Sequence, residues 1–338
     1  MLSRLILAGL AVVAVAGWPR SRAAALAALA AGMTSAVLAG GGVFEATASA
    51  TVPMLLFLTV ALSLAYLVER AGLTERAAER LARAGGGRTR LLYGLVCAAS
   101  ALVTCVVSLD GAVVLMVPIV RSLSRRRGVP FGPFFLGTVA VANAASLAVP
   151  EGNPTNLVVM SRLGLSPASF LEHLLVPGLC AAALCALVPL RSLTSGRYAA
   201  GAALPEPPSD LPVLVPWRIG AQMAGLVASL SGLLPPLRLG GGGVVTLLAV
   251  AGGTAAASAV ANNLPVSASL AALATAGPGA YAAIVGLSVG ALATPHGSVA
   301  TLLARDLAEE DAGRWARAWI PTAAAAVICS TLLLWVTL

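Results

Sequence analysis

Apolar runs recur along this chain at a length that few folds can use. They cover approximately residues 5–19, 23–43, 50–69, 91–122, 133–161, 171–190, 213–235, 243–275, 279–304 and 316–337. About 20 apolar residues in helical form cross the hydrocarbon core of a bilayer. Of the 338 residues, 59 % are hydrophobic and 10 % charged, whereas a soluble domain draws about a quarter of its residues from the charged types. The sequence therefore predicts an all-α, polytopic membrane protein with no soluble appendage. Its most polar stretch, Ser192 to Pro212, is too short to fold separately. Arg4 followed by the apolar Leu5–Gly17 has the outline of a signal peptide. Trp18, Pro19, Arg20 and Arg22 stand where a small-residue cleavage site would follow, so a short first transmembrane helix is expected.

The formal net charge is +8. Its arginines lie in short loops between apolar runs, the pattern of the positive-inside rule and not of a nucleic-acid surface. Aromatics make up 4 % of the chain, too few for a base-stacking platform. Cys97, Cys105, Cys180, Cys185 and Cys329 sit inside apolar runs without a CxxC pair, as small packing residues do. No metal or cofactor is expected. There is no HExxH, and no catalytic residue and no enzyme are expected either.

Two runs do not read as simple spans. Segment 91–122 carries Ser108-Leu109-Asp110-Gly111 at its middle, and segment 243–275 carries Asn262-Asn263-Leu264-Pro265. Irregular backbone survives at membrane depth only inside protein or beside a water-filled cavity. Both flanks of 91–122 are basic: Arg76, Arg80, Arg83, Arg88 and Arg90 before it, Arg121 and Arg125 to Arg127 after it. A segment with two cytoplasmic ends must enter and return, which predicts a re-entrant helical hairpin with its tip near Asp110. Segment 243–275, with only Arg238 near it, is the matching hairpin from the outside. The domains expected are an N-terminal repeat at 1–191, a Pro-rich cytoplasmic linker at 192–212 and a C-terminal repeat at 213–338.

An internal repeat supports that division. Ser146-Leu-Ala-Val-Pro-Glu-Gly-Asn-Pro-Thr-Asn-Leu157 aligns without gaps on Ala291-Leu-Ala-Thr-Pro-His-Gly-Ser-Val-Ala-Thr-Leu302. Pro150 and Pro295 end an apolar half-helix, and Gly152 and Gly297 permit unwinding. The order is hairpin, then broken helix (133–161 and 279–304), twice and in opposite directions. In transporters, inverted repeats of this kind bring broken helices together near the midplane to hold substrate.

The candidate solute- or ion-binding residues follow from this geometry. Asp110 is an ionisable group at membrane depth, where it is costly without a cavity or partner. Asn143, Ser146, Asn153, Thr155 and Asn156 surround the first break, with Pro154 as a helix start. Asn262 and Asn263 form the second tip, and Thr294 and Ser298 flank the second break. Glu151 and His296 occupy one position in the two repeats; they could pair, relay protons, or each cap its own break.

The runs Ser108-Leu-Asp-Gly-Ala-Val-Val-Leu-Met-Val-Pro118, Asn262-Asn-Leu-Pro265 and Thr294-Pro-His-Gly-Ser-Val-Ala-Thr-Leu-Leu303 resemble motifs of the arsenical pump (arsenite-efflux permease) family. Gly152-Asn-Pro-Thr-Asn-Leu157 resembles the Gly-Asn-Pro-x-Asn motif of the wider ion transporter superfamily, which includes citrate–metal carriers, sodium/proton antiporters and divalent-anion/sodium symporters. The resemblance covers about residues 50 to 338. It implies two re-entrant hairpins, alternating access, a multi-pass place in the cell (inner) membrane, and efflux of arsenite or antimonite against protons. It also implies a small inorganic or organic ion as solute, proton or sodium as coupling ion, and leaves a homodimer open. Asp110, Asn153, Asn156, Asn262, Asn263, Thr294 and Ser298 sit on the family motifs. The chain departs from the pattern in three ways. The second half is short by two helices, which leaves open a shortened relative that does not transport. Glu151 and His296 replace apolar residues. An Asp stands at a tip where it repels carboxylates, against a dicarboxylate solute.

Overall fold

The computed structural model describes residues 1–193, 196–198, 215–233, 237–238, 241–271, 274–275, 277–308 and 315–338. Most of the expected linker, and the charged stretch 309–314, lie outside the described residues. The fold is all-α, with two-residue parallel β stubs at Leu237–Arg238 and Ala274–Thr275.

Three helices open the chain: α1 (Leu2–Gly17), α2 (Arg22–Ala39) and α3 (Gly42–Arg70). Along α3 the hydroxyls of Thr47, Thr51, Thr59 and Ser63 each bond the carbonyl one turn back, so these polar side chains leave no open donor in an apolar helix. Helix α4 (Leu73–Ala84) lies between spans. It buries Thr74, Ala78 and Ala82 and turns its charges outward, and Arg127 donates to both carboxylate oxygens of Glu79 (2.6 and 2.5 Å). The sequence reading had treated this stretch only as a basic flank; it is an amphipathic helix.

The two expected hairpins and two broken helices are present. The first hairpin is α5 (Thr89–Val106) and α6 (Leu109–Arg127). The first broken helix is α7 (Phe131–Ala145), a 3₁₀ turn at Pro150–Gly152, and α8 (Pro154–Leu163). Helix α9 (Pro167–Arg191) returns, and α10 (Trp217–Leu230) opens the second half. The second hairpin is α11 (Val244–Ala261) and α12 (Asn263–Ala271), followed by α13 (Pro278–Val289), a 3₁₀ turn at Gly290–Ala293, α14 (Val299–Ala308) and α15 (Trp315–Thr337). Among the described residues six helices, α2, α3, α5, α9, α11 and most of α15, are long and apolar enough to cross a membrane. The chain is a multi-pass membrane protein.

The broken helices run antiparallel. Arg121, near the end of α6, donates to the Leu307 carbonyl at the end of α14. The hydroxyls of Ser169 and Tyr281 meet at 2.5 Å, joining the start of α9 to the start of α13. So α14 ends on the basic face from which α7 starts. The repeats also interlock: α6 packs on α14 and α12 on α8.

The shortness of the second half has a structural answer. Helices α1 and α2 pack against α10. At the α2–α10 crossing Gly32 lies on the Gly225 backbone and Gly225 on the Ala28 carbonyl, with no room for a Cβ on either. Small residues let membrane helices approach this closely.

Candidate functional site

Both hairpin tips turn on a polar residue. Among the described residues, Ser108 and Asn262 are the non-glycine positions with positive φ. Asparagine tolerates the φ of 72° at Asn262 better than most side chains. Each then caps the helix it opens. Ser108 Oγ accepts the Gly111 N–H at 3.3 Å, and Asn262 Oδ1 accepts the Leu264 N–H at 3.1 Å.

Both breaks are built on a glycine and an amide or hydroxyl. A Cβ on Gly152 would lie 2.6 Å from the Ser146 carbonyl oxygen, and one on Gly297 would come closer still to that of Ala291. Ser146 and Ala291 are equivalent in the repeat alignment, so each glycine closes on the same carbonyl of its own copy. Asn153 Oδ1 accepts the Thr155 N–H at 3.1 Å and caps α8; Ser298 Oγ accepts the Thr301 N–H at 3.1 Å and caps α14. Carbonyls freed by unwinding find side-chain donors, as buried backbone must. Asn156 Nδ2 serves Ser146 (2.8 Å) and Val149 (3.2 Å), and Ser146 Oγ serves Asn143 (2.7 Å). The second break is stitched to the second tip: Asn262 Nδ2 to the His296 carbonyl (2.7 Å), the Asn263 N–H to the Gly297 carbonyl (2.8 Å), and Thr294 Oγ1 to the Ala259 carbonyl (2.6 Å).

Tips and breaks meet at one small cavity of about 20 Å³, room for about one water. Its wall is Leu109 and Asp110 at the start of α6, Asn153 to Thr155 at the start of α8, Asn263 and Leu264 at the start of α12, and Ser298 to Ala300 at the start of α14, with Met54 of α3. Four helix N-termini therefore converge, two from each repeat. Each presents the positive end of a helix dipole, which favours anions and electron-rich oxygens; at α8 and α12 the first N–H groups are already taken by Asn153, Asn262 and the Gly297 carbonyl, and Pro154 and Pro265 have none. The one ionisable wall residue is Asp110, 4 % exposed. No described group donates a hydrogen bond to its carboxyl. The Thr155 hydroxyl is buried without a partner among the described residues.

Of the expected residues, Asp110, Asn153, Thr155, Asn263 and Ser298 are brought to this wall. Asn143, Ser146, Asn156, Asn262 and Thr294 lie behind it, with their amides and hydroxyls engaged in backbone bonds. Glu151 and His296 do not pair. Glu151 is exposed, while His296 is buried with Nε2 3.3 Å from the Val260 carbonyl. Three contributors were not among the expected residues. Met54 enters from α3, outside both repeats' motifs. Ser288 and Thr301 bridge the broken helices; Thr301 stands opposite Asn156 within the repeat alignment, and extending it three residues places Ser288 opposite Asn143.

The citrate transporter family model matches residues 10–215, more than half of the chain. The chain belongs to the citrate transporter family. Relatives include a silicon efflux transporter of Oryza sativa subsp. japonica, 33 % identical over 132 residues, which is 39 % of this chain and 27 % of the relative. The inner membrane protein YbiR of Escherichia coli (strain K12) is 31 % identical over 107 residues, 32 % of this chain and 28 % of the relative. The arsB protein of Dictyostelium discoideum is 30 % identical over 84 residues, 25 % of this chain and 15 % of the relative. The matched stretches thus span less than a third of these relatives. They support the ion transporter superfamily of the motif resemblance and do not single out its arsenical branch.

Proposed function

We propose that this member of the citrate transporter family is a secondary active carrier in the cell membrane that exports a small oxyacid, arsenite or antimonite, in exchange for protons. The observation that carries this reading is the convergence of four helix N-termini on a small cavity whose single ionisable wall group is Asp110. Neutral As(OH)₃ offers hydroxyl oxygens to the positive ends of these helix dipoles and to Asn153, Thr155, Asn263 and Ser298. It brings no charge to oppose the Asp110 carboxylate. Proton uptake on Asp110 and solute release then alternate at one place, so that neither moves without the other. The named activity of one relative, a silicon efflux transporter, fits the export of a small inorganic solute.

A second reading is a carrier of another inorganic or organic anion, coupled to protons or sodium. The family's name and the anion-favouring helix ends support it; the carboxylate of Asp110 opposes a carboxylate solute. Purified chain in liposomes decides between them. Arsenite, antimonite, silicic acid and citrate are loaded separately, and flux is followed with an imposed proton gradient, a sodium gradient, or none. Gradient-driven arsenite or antimonite flux is the expected result. Citrate flux alone moves the chain to the second reading, and no flux of any solute favours a relative that does not transport.

A further inference from the structure

A second, larger cavity lies on the basic side of the tip site. It measures about 320 Å³, and its wall includes Leu62 and Glu69 of α3, Val114 of α6, Arg218 of α10, and Leu303 and Asp306 of α14. Val114 follows Asp110 by one helical turn on α6, and Leu303 follows Val299 by one turn on α14. Residues four apart share a helix face about 6 Å apart along the axis. The same two helices therefore run from the small cavity into the large one.

Helix α3 shows what separates them. Met54 walls the small cavity and Leu62 the large one. Leu58 lies between them on the same face, fully buried, in one apolar cluster with Met54, Val114, Leu264, Val299 and Leu303. One layer of side chains closes the passage. At the outer rim Asp306 is ion-paired with Arg218 and lies 3.8 Å from Arg20. Among the described lining residues the charged groups are Glu69, Asp306 and Arg218, with Arg20 beside Asp306.

We infer that the larger cavity is the vestibule by which the tip site is reached from the cytoplasm, and that Leu58 is its gate. The inference rests on the carrier reading of the tip site. Its test uses thiol labelling without any solute, so a failed passage and a failed choice of solute give different results.

The native cysteines at 97, 105, 180, 185 and 329 are first replaced by alanine. Leu303→Cys then reports on the vestibule and Thr155→Cys on the tip cavity. A small membrane-impermeant methanethiosulfonate is added to everted or right-side-out vesicles. Leu303→Cys is expected to react in everted vesicles only. Thr155→Cys is expected to react slowly beside Leu58, and at least about tenfold faster from the everted side beside Leu58→Ala, a barrier change near 1.4 kcal/mol. Leu58→Ile, of equal volume, should keep the slow rate. Should Leu58→Ala fail to fold, Leu58→Val gives the same test at a smaller step. Labelling of Leu303→Cys from the opposite face, or a Thr155→Cys rate unmoved by shortening Leu58, overturns the inference.

Discussion

The side-chain amide of Asn143 donates to the Thr301 hydroxyl at 3.4 Å, tying the first broken helix to the second. A second bond, Ser288 Oγ to Asn156 Oδ1 at 3.3 Å, does the same. The repeat alignment that places Pro150 on Pro295 places Asn143 on Ser288 and Asn156 on Thr301. The two bonds are therefore one bond seen twice, with the repeats exchanged. Removing Ser288 as Ser288→Ala should cost about 1 kcal/mol. Asn156→Ala should cost about 2–3 kcal/mol, because it also strands the Ser146 and Val149 carbonyls. The double-mutant coupling should be near 0.6 kcal/mol, the usual size between membrane helices. Unfolding curves in mixed micelles measure all three, and a coupling of zero would separate the bonds from the helix contact.

Gly152→Ala and Gly297→Ala each drive a methyl group into a backbone carbonyl that cannot swing aside. Each should lose at least about 3 kcal/mol, the upper end of overpacking costs. Gly94→Ala, in the interior of α5 with nothing within 4 Å of the new Cβ, should instead gain about 0.5–1 kcal/mol. Thermal melts of the three purified variants suffice. Equal stability of Gly297→Ala and the parent chain would contradict the close approach.

Asp110→Asn keeps the volume of the side chain and removes its exchangeable charge. Proton-driven accumulation of solute should fall by at least about tenfold, while downhill counterflow of the same solute continues. Reconstituted vesicles with and without an acid gradient distinguish the two. Undiminished gradient-driven uptake would take Asp110 out of the coupling step.

Glu79 provides a pH prediction away from the membrane interior. Its hydrogen bond with Arg127 holds the carboxyl below its ordinary value of 4.5, with smaller help from the charges of Arg127, Arg83 and Arg126. A depressed carboxyl contributes stability above its unfolded value and loses it as pH falls through the folded one. Glu79→Gln should therefore melt earlier than the parent near neutral pH, and the gap should narrow once pH drops below 4.5. A gap that stays constant down to strongly acid solution would show that the pair contributes nothing through charge. The carboxylate is partly exposed, so the effect at high salt should be small.

Much of this architecture was legible in the residues. Asp110 inside an apolar run with basic flanks placed the first hairpin, and Pro-x-Gly in two aligned copies placed both breaks. The distinction between Asn153, at the cavity, and Asn156, behind it, was not legible. A broken helix needs amides for its own freed carbonyls as much as for a solute, and both demands place asparagine at the same turn. Leu73–Ala84 escaped as a helix because its arginines read as a loop flank, although the buried spacing of Thr74, Ala78 and Ala82 was there to find. Met54 and Leu58 carry no local signal at all. An apolar residue facing a cavity and one facing lipid look alike until the helices are packed.

The glycine crossing of α2 on α10 sets an order of assembly. Gly32 leaves the ribosome early, and its partner Gly225 follows only after both elements of the first repeat have been threaded into the bilayer. Until then the α2 seam stays open to lipid or to whatever insertion factor attends it. A nascent chain stopped before α10 would hold the first hairpin without its α14 partner, and an N-terminal helix pair whose glycine seam has nothing to close on.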